Sequence, residues 1–363
     1  MEMNELSPRI KLLDGFRAIA IISVMLFHYF SRWAPQVNSI SLYPYNNKYS
    51  FFGYGFLGVQ FFFMISGFVI FFTLEKTDGF VTFWKKRAIR LLPSMLVASL
   101  LTFIAFRLFD DKLIFPESHR AINFLQGITF INPDLINYIF RPKYNLNYLS
   151  GSYWSLWPEI QFYFFASVLF YISKKKFARN FSFISIFIVC FNYLMQNSAI
   201  KVHLPQGLLN YYSLIFYLFN LIRFLPFFSA GMLFYLLYKN NNENIYKVKL
   251  WLGFFIVYII HIGIQTEVQL IYMVLLALFA CFIYYPKKLS LLNNRLISRI
   301  GISSYFLYLI HEHIGVLLIN KLGKYFLPLG MTFPLLLICF LIFFSILYSE
   351  KVEKRISFYL KKR

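Results

Sequence analysis

Charge is what this chain has least of. Charged residues make up 14% of it and hydrophobic residues 59%, where an ordinary soluble domain is about 25% charged. Such a composition excludes a water-soluble globular enzyme. Acidic side chains are scarcer still, 15 against 36 Lys plus Arg. Cysteine is nearly absent: Cys190, Cys281 and Cys339 stand singly in apolar runs, with neither the paired spacing of a zinc site nor a partner for a disulfide. No metal is expected. No glycine-rich loop leads into a Lys-Ser or Lys-Thr pair, which argues against an ATP-driven pump. No small-residue cleavage pattern follows the first residues, so a removed signal peptide is not expected. No polar stretch is long enough for a second globular unit, so residues 1–363 are expected to form a single integral membrane domain.

What the chain does have is long apolar runs. Ten spans are expected, at roughly 12–30, 55–75, 91–109, 153–172, 181–199, 212–238, 250–264, 268–285, 302–320 and 328–348, several of them near the ~20 residues a crossing needs. The seventh and eighth are short and separated by residues 265–269, so a broken hairpin is an alternative there. Lys and Arg concentrate in the short loops on the cytoplasmic side of a membrane. With the N-terminus inside, 24 of them fall on the cytoplasmic side and 10 outside, and Arg17 and Arg223 within spans complete the 36. The expected fold is therefore all-α and polytopic, with both termini cytoplasmic. The net charge of +21 then follows from orientation and contact with anionic membrane lipids, and nucleic acid is not needed to explain it. Between 110 and 152 an apolar patch, Ile122 to Phe140, contains Pro133, is followed by Pro142, and reads either as an interfacial or re-entrant cover on the outer side or as an ordinary loop.

Charged groups inside membrane helices are costly, at about 2.5–3.5 kcal/mol each at a helix centre, and usually face a cavity or a partner. The first span carries Arg17 and His28, eleven residues apart. Eleven steps of about 100° leave roughly 20° after three turns, so both side chains point the same way, roughly 16 Å apart along the axis. One stripe of that helix is expected to line a path. The other ionisable residues within spans are Asp14, Glu159, Arg223, His261, His311, Glu312 and His313. Glu159 falls at a depth comparable to His28, where a carboxylate would raise the imidazole's basicity and fix its tautomer. An imidazole poised near neutrality suits proton abstraction from a hydroxyl. Asp14, Trp154, Arg223 and His311 are candidate cavity-lining residues. His261, Glu312 and His313 read as structural or interfacial, Lys85 and Lys86 as membrane anchors, and Trp154 and Trp157 as an outer aromatic belt or, alternatively, a sugar-stacking pair.

Six blocks then occur in order: LDGFRAIAIISVMLFH, GVQFFFMISGFVI, FWKKRAIRLLP, SYWSLWPEIQFYF, RFLPFFSAGMLF and SSYFLYLIH. Together they resemble the acyltransferase-3 family of polytopic membrane acyltransferases, over nearly the whole chain. The resemblance implies transfer of an acyl group, usually acetyl from cytoplasmic acetyl-CoA, to a hydroxyl of a glycan or lipid-linked glycan such as O-antigen, lipopolysaccharide or exopolysaccharide, in a bacterial inner membrane. The family's functional positions are matched by Arg17, His28, Arg87 and Arg90. Guanidinium forks at Arg87 and Arg90 suit the phosphates of CoA. The assignment is thus His28 and Glu159 as catalytic, and Arg17, Arg87 and Arg90 as acyl-CoA binding.

The chain departs from the family pattern in two places: Gln60 stands where an acidic residue is usual, and Glu159 lacks the usual adjacent carboxylate. Pro158 predicts irregular backbone over residues 152–157. Whether His28 acts as a base or carries the acyl group covalently stays open. A flippase for a lipid-linked glycan, using the same polar stripe, is the alternative from another class, and an inactive sensor or scaffold is a third. Many family members carry an extra extracytoplasmic hydrolase-like domain, so a chain ending at Arg363 is expected to complete the transfer itself or to recruit a partner.

Overall fold

The computed structural model describes residues 10–33, 50–111, 113–140, 145–239 and 245–362. Arg9, Lys48, Lys112, Arg141, Lys143 and Arg363 of the charge tally, and Pro142, lie outside them. Among the described residues there are helices and connections and no strand. The α-helices are α1 (Lys11–Phe27), α2 (Gly58–Glu75), α3 (Phe80–Phe109), α4 (Ala121–Gly127), α5 (Pro133–Phe140), α6 (Leu156–Ile172), α7 (Phe177–Gln196), α8 (Ser198–Lys201), α9 (Gln206–Leu218), α10 (Leu221–Lys239), α11 (Ile245–His261), α12 (Thr266–Tyr284), α13 (Arg295–Leu322), α14 (Thr332–Tyr348) and α15 (Lys354–Lys362).

Among the described residues, eight helical segments are long and apolar enough to cross a membrane. They cover the expected spans except those at 153–172 and 250–264, where α6 and α11 have 17 residues each. The hairpin between 250 and 285 resolves into two separate helices, α11 and α12. One expectation is corrected: 212–238 is not a continuous span but α9 and α10, broken at Phe219 and Asn220. A broken helix leaves backbone donors and acceptors without partners, which must be satisfied away from water. Side chains of α6 do this. Trp157 Nε1 donates to the Leu218 carbonyl at 2.8 Å, and Gln161 Oε1 accepts from the Leu221 N–H at 2.9 Å.

The buried centre is built from α1, α2, α10 and α13. α10 is buried without interruption from Phe224 to Leu237, and α13 over most of Ile300 to Ile319. α2 and α10 cross at glycines: a Cβ on Gly67 would overlap the Phe228 backbone, and one on Gly231 would overlap the Met64 backbone. Membrane helices gain little from hydrophobic burial against each other, so such close backbone approach is what holds them together. α7, by contrast, exposes Phe183, Phe187 and Phe191 at a four-residue spacing, a face suited to lipid. Pro158 sits in the first turn of α6, where a helix tolerates it, whereas Pro93 and Pro226 lie inside α3 and α10. The irregular stretch expected before it is a 3-10 turn, Gly151–Ser155. The patch from Ile122 to Phe140 forms α4 and α5, and Phe130 in the bend between them takes a left-handed φ of 62°.

Candidate active site

Two cavities lie end to end in the helix bundle. The first is small, about 80 Å³, and Arg17 from α1, Arg87 and Arg90 from α3, and Glu159, Ser66 and Tyr163 are among the residues lining it. Three guanidinium groups face one carboxylate, which leaves the cavity cationic. Arg17 is oriented by Asp14, whose Oδ1 lies 2.9 Å from Nη1; Asp14 is fully buried and also accepts from Ser298 Oγ at 3.3 Å. Glu159 Oε1 accepts from Ser66 Oγ at 3.0 Å and from the Tyr163 hydroxyl. Arg87 is 8% exposed, donates to Thr73 Oγ1 at 3.4 Å and has an Nε with no hydrogen-bond partner among the described residues. Glu159 and Tyr163 share the cavity with it, and a buried guanidinium with an open Nε favours a further anion.

The second cavity is about 800 Å³ and is walled by His28, Gln60, Trp154, Arg223, Glu312 and His313, among others. Asn132, Asp134, Asn147 and Tyr148, from α5 and the chain around it, also line it. Just where α1 would carry His28 outward, the helix widens into a π-helical segment, His28–Arg32, a distortion common at functional sites. His28 Nδ1 lies 3.2 Å from Glu312 Oε1, within ion-pair distance but off line for a hydrogen bond. His311 meets the same imidazole edge-on at 5.0 Å between ring centroids. Gln60 Oε1, Asn220 Oδ1, Trp33 Nε1 and Glu312 Oε2 around this cavity are buried atoms without hydrogen-bond partners among the described residues. Most buried polar atoms are satisfied. Three open acceptors and one open donor, the Trp33 indole N–H, suit a ligand rich in hydroxyls, which both donate and accept.

His313 explains how Glu312 is held. The Gly151 N–H donates to His313 Nε2 at 3.0 Å, so in the neutral ring Nδ1 carries the hydrogen and donates to Ser118 Oγ at 3.0 Å. Ser118 in turn donates to the Leu149 carbonyl at 2.7 Å, and Phe115 stacks on the ring at 3.9 Å. This brace presses Gly151 against the Glu312 carboxylate: a Cβ at 151 would fall 2.7 and 2.8 Å from its two oxygens. Gly151→Ala is therefore expected to push the carboxylate off His28. The displaced group is the far end of a flexible side chain, so melting temperature should hardly change, while a misplacement near 1 Å lowers activity about 10²-fold. Thermal unfolding beside initial rates separates the two effects, and an unchanged rate would refute the account.

The structure places Arg17, Arg87, Arg90 and Glu159 around the first cavity, and His28, Trp154 and Arg223 around the second. Asp14 and His311 line neither: Asp14 stands behind Arg17, and His311 behind His28, its Nδ1 2.7 Å from the Tyr308 carbonyl. Glu159 is not brought to His28. The carboxylate there is Glu312, read from the sequence as structural, although a carboxylate between two histidines in mid-span is costly enough to have signalled it.

Residues 10–349 match the family described as Acyltransferase domain. A Staphylococcus aureus (strain COL) protein provisionally named an O-acetyltransferase is 30% identical over 200 residues, covering 50% of this chain and 29% of that protein. The O-acetyltransferases OatA of S. aureus strains NCTC 8325 and COL are 30% identical over 184 residues, covering 46% of this chain and 26% of each. The matched region thus spans less than a third of these relatives' length. No solved structure matches.

Proposed function

Because this chain belongs to the acyltransferase-3 family, we propose that it transfers an acetyl or other acyl group from cytoplasmic acyl-CoA to a hydroxyl of a cell-surface glycan or its lipid-linked precursor. The observation that carries this reading is the pair of abutting cavities, cationic on one side and holding an imidazole–carboxylate pair on the other. In this reading α6 and α11 join the eight longer helices as ten crossings of a bacterial inner membrane, with both termini in the cytoplasm. The cationic cavity then opens toward the inner face. Arg17, Arg87 and Arg90 attract the phosphates of CoA, and the thioester end of the long pantetheine arm points toward His28. His28 takes the acceptor's proton as its oxygen attacks the thioester carbon. Glu312 holds the imidazole and stabilises the imidazolium that forms. The acceptor sugar occupies the larger cavity, where Trp154 offers a face for stacking and Gln60 and Asn220 accept from its hydroxyls.

At about 80 Å³ the first cavity is too small for a sugar chain, which favours transfer over translocation. Purified protein given acetyl-CoA, with methyl glucoside as acceptor probe, is expected to release CoA thiol and form an acetyl ester. Movement of lipid-linked sugar across a bilayer without acetyl-CoA consumption would replace this reading with that of a flippase.

A further inference from the structure

Among the described residues, Val59 and Tyr308 are common to the walls of both cavities. Val59 brings only a hydrocarbon. Tyr308 brings a hydroxyl to the boundary between the cavity of the arginines and the cavity of the imidazole. On α13 it stands four residues, about one turn, before Glu312 on the same face. Towards the arginines, Ser304 and Tyr305 line the first cavity; away from them, Glu312 and His313 line the second. The phenol is set rigidly. Its ring lies 5.3 Å from His311 and 6.0 Å from Phe62, and its oxygen accepts from Ser155 Oγ at 2.8 Å. Ser155 carries a single hydrogen and also contacts the Ser152 carbonyl, at the longer distance of 3.3 Å; with that hydrogen on the shorter bond to Tyr308, the Tyr308 hydrogen is left over. It donates to no group among the described residues.

A rigid, water-poor O–H donor that accepts from Ser155, one turn from the carboxylate that holds the general base, is what stabilises a developing oxyanion. We propose that Tyr308 is a catalytic residue that donates its hydroxyl hydrogen to the thioester carbonyl oxygen as that oxygen becomes negative. The inference rests on the acyl-transfer reading above. The acceptor oxygen bonds to the carbonyl carbon while its proton passes to His28, and the carbonyl π pair moves onto the oxygen facing Tyr308. When that pair returns, the carbon–sulfur bond breaks, and the CoA thiolate takes the proton from the His28 imidazolium. Tyr308 keeps its own proton throughout. Ser155 strengthens the donor by polarising the phenol in a hydrogen-bonded chain.

Tyr308→Phe keeps the ring and its packing and removes only the hydroxyl. With acetyl-CoA and methyl glucoside as probes, the purified variant is expected to lose about 10²–10³-fold in kcat, while its KM for acetyl-CoA and its melting temperature stay within twofold and a few degrees of the parent. Activity within threefold of the parent overturns the assignment. So does a loss confined to KM, which would make Tyr308 a wall of the donor path. A loss in Ser155→Ala larger than that in Tyr308→Phe would also overturn it, by moving the donor to Ser155. Failure of the parent protein to use acetyl-CoA, with the fold intact, refutes the transferase reading itself and this inference with it.

Discussion

His28→Ala is expected to lower acyl transfer by about 10²–10⁴-fold, the usual contribution of a positioned general base, while the protein still inserts into the membrane and accumulates normally. The two halves of that expectation have separate causes. Loss of rate follows from chemistry: at neutral pH an alcohol is a poor nucleophile, and among the groups lining the large cavity, which include the Glu117 and Asp134 carboxylates, His28 is the imidazole held against a buried carboxylate. Retention of the fold follows from position. The imidazole lies on the wall of a cavity of about 800 Å³ with its side chain 13% exposed, so truncation enlarges an existing space instead of opening a new void in a packed core, the situation that costs most. Thiol release and ester formation by the purified variant, beside its abundance in membranes, check both halves. Full activity would end the base assignment. The same preparation separates base from covalent catalysis: a burst of CoA release without acceptor in the parent protein, lost in the variant, places the acyl group on the imidazole, and release that waits for acceptor places only the proton there.

How much could be read in advance depends on whether a feature belongs to one helix or to several. Arg17 and His28 share a stripe because of the pitch of a single helix, and each reaches a cavity. Helix positions were legible for the same reason, since hydropathy is a local property. The break between α9 and α10 is marked only by Asn220, Arg223 and Pro226 inside an otherwise apolar run; the groups that tolerate it, Trp157 and Gln161, come from α6. The partner of His28 is hidden from the sequence for a related reason. Depth counted inward from span ends set Glu159 level with the imidazole, but depth says nothing about which side of the bundle a helix occupies. α13 packs against α1, and so Glu312 reaches His28 while Glu159 turns to the arginines. The role of Gly151 was equally invisible, since it depends on a loop pinned by His313.

Exchanging the two carboxylates for amides tells their roles apart. Glu312→Gln keeps the shape beside His28 but removes the charge that would stabilise an imidazolium, and an amide can present a donor where the ring needs an acceptor. Loss of such a partner in a His–carboxylate pair costs about 10²–10⁴-fold in kcat, and because Glu312 lines the large cavity and not the arginine cavity, the KM for acetyl-CoA should hold. Glu159→Gln acts on the other side. It removes the negative charge facing three guanidinium groups, so its main effect should fall on acetyl-CoA affinity and its salt dependence, with a much smaller change in kcat. The double variant His28→Ala with Glu312→Gln supplies the decisive comparison. If the carboxylate works only through the imidazole, the second change adds almost nothing once the first is made. Losses that multiply would give Glu312 an independent part in the reaction, and a Glu159→Gln variant that loses kcat while Glu312→Gln keeps it would return the role to Glu159.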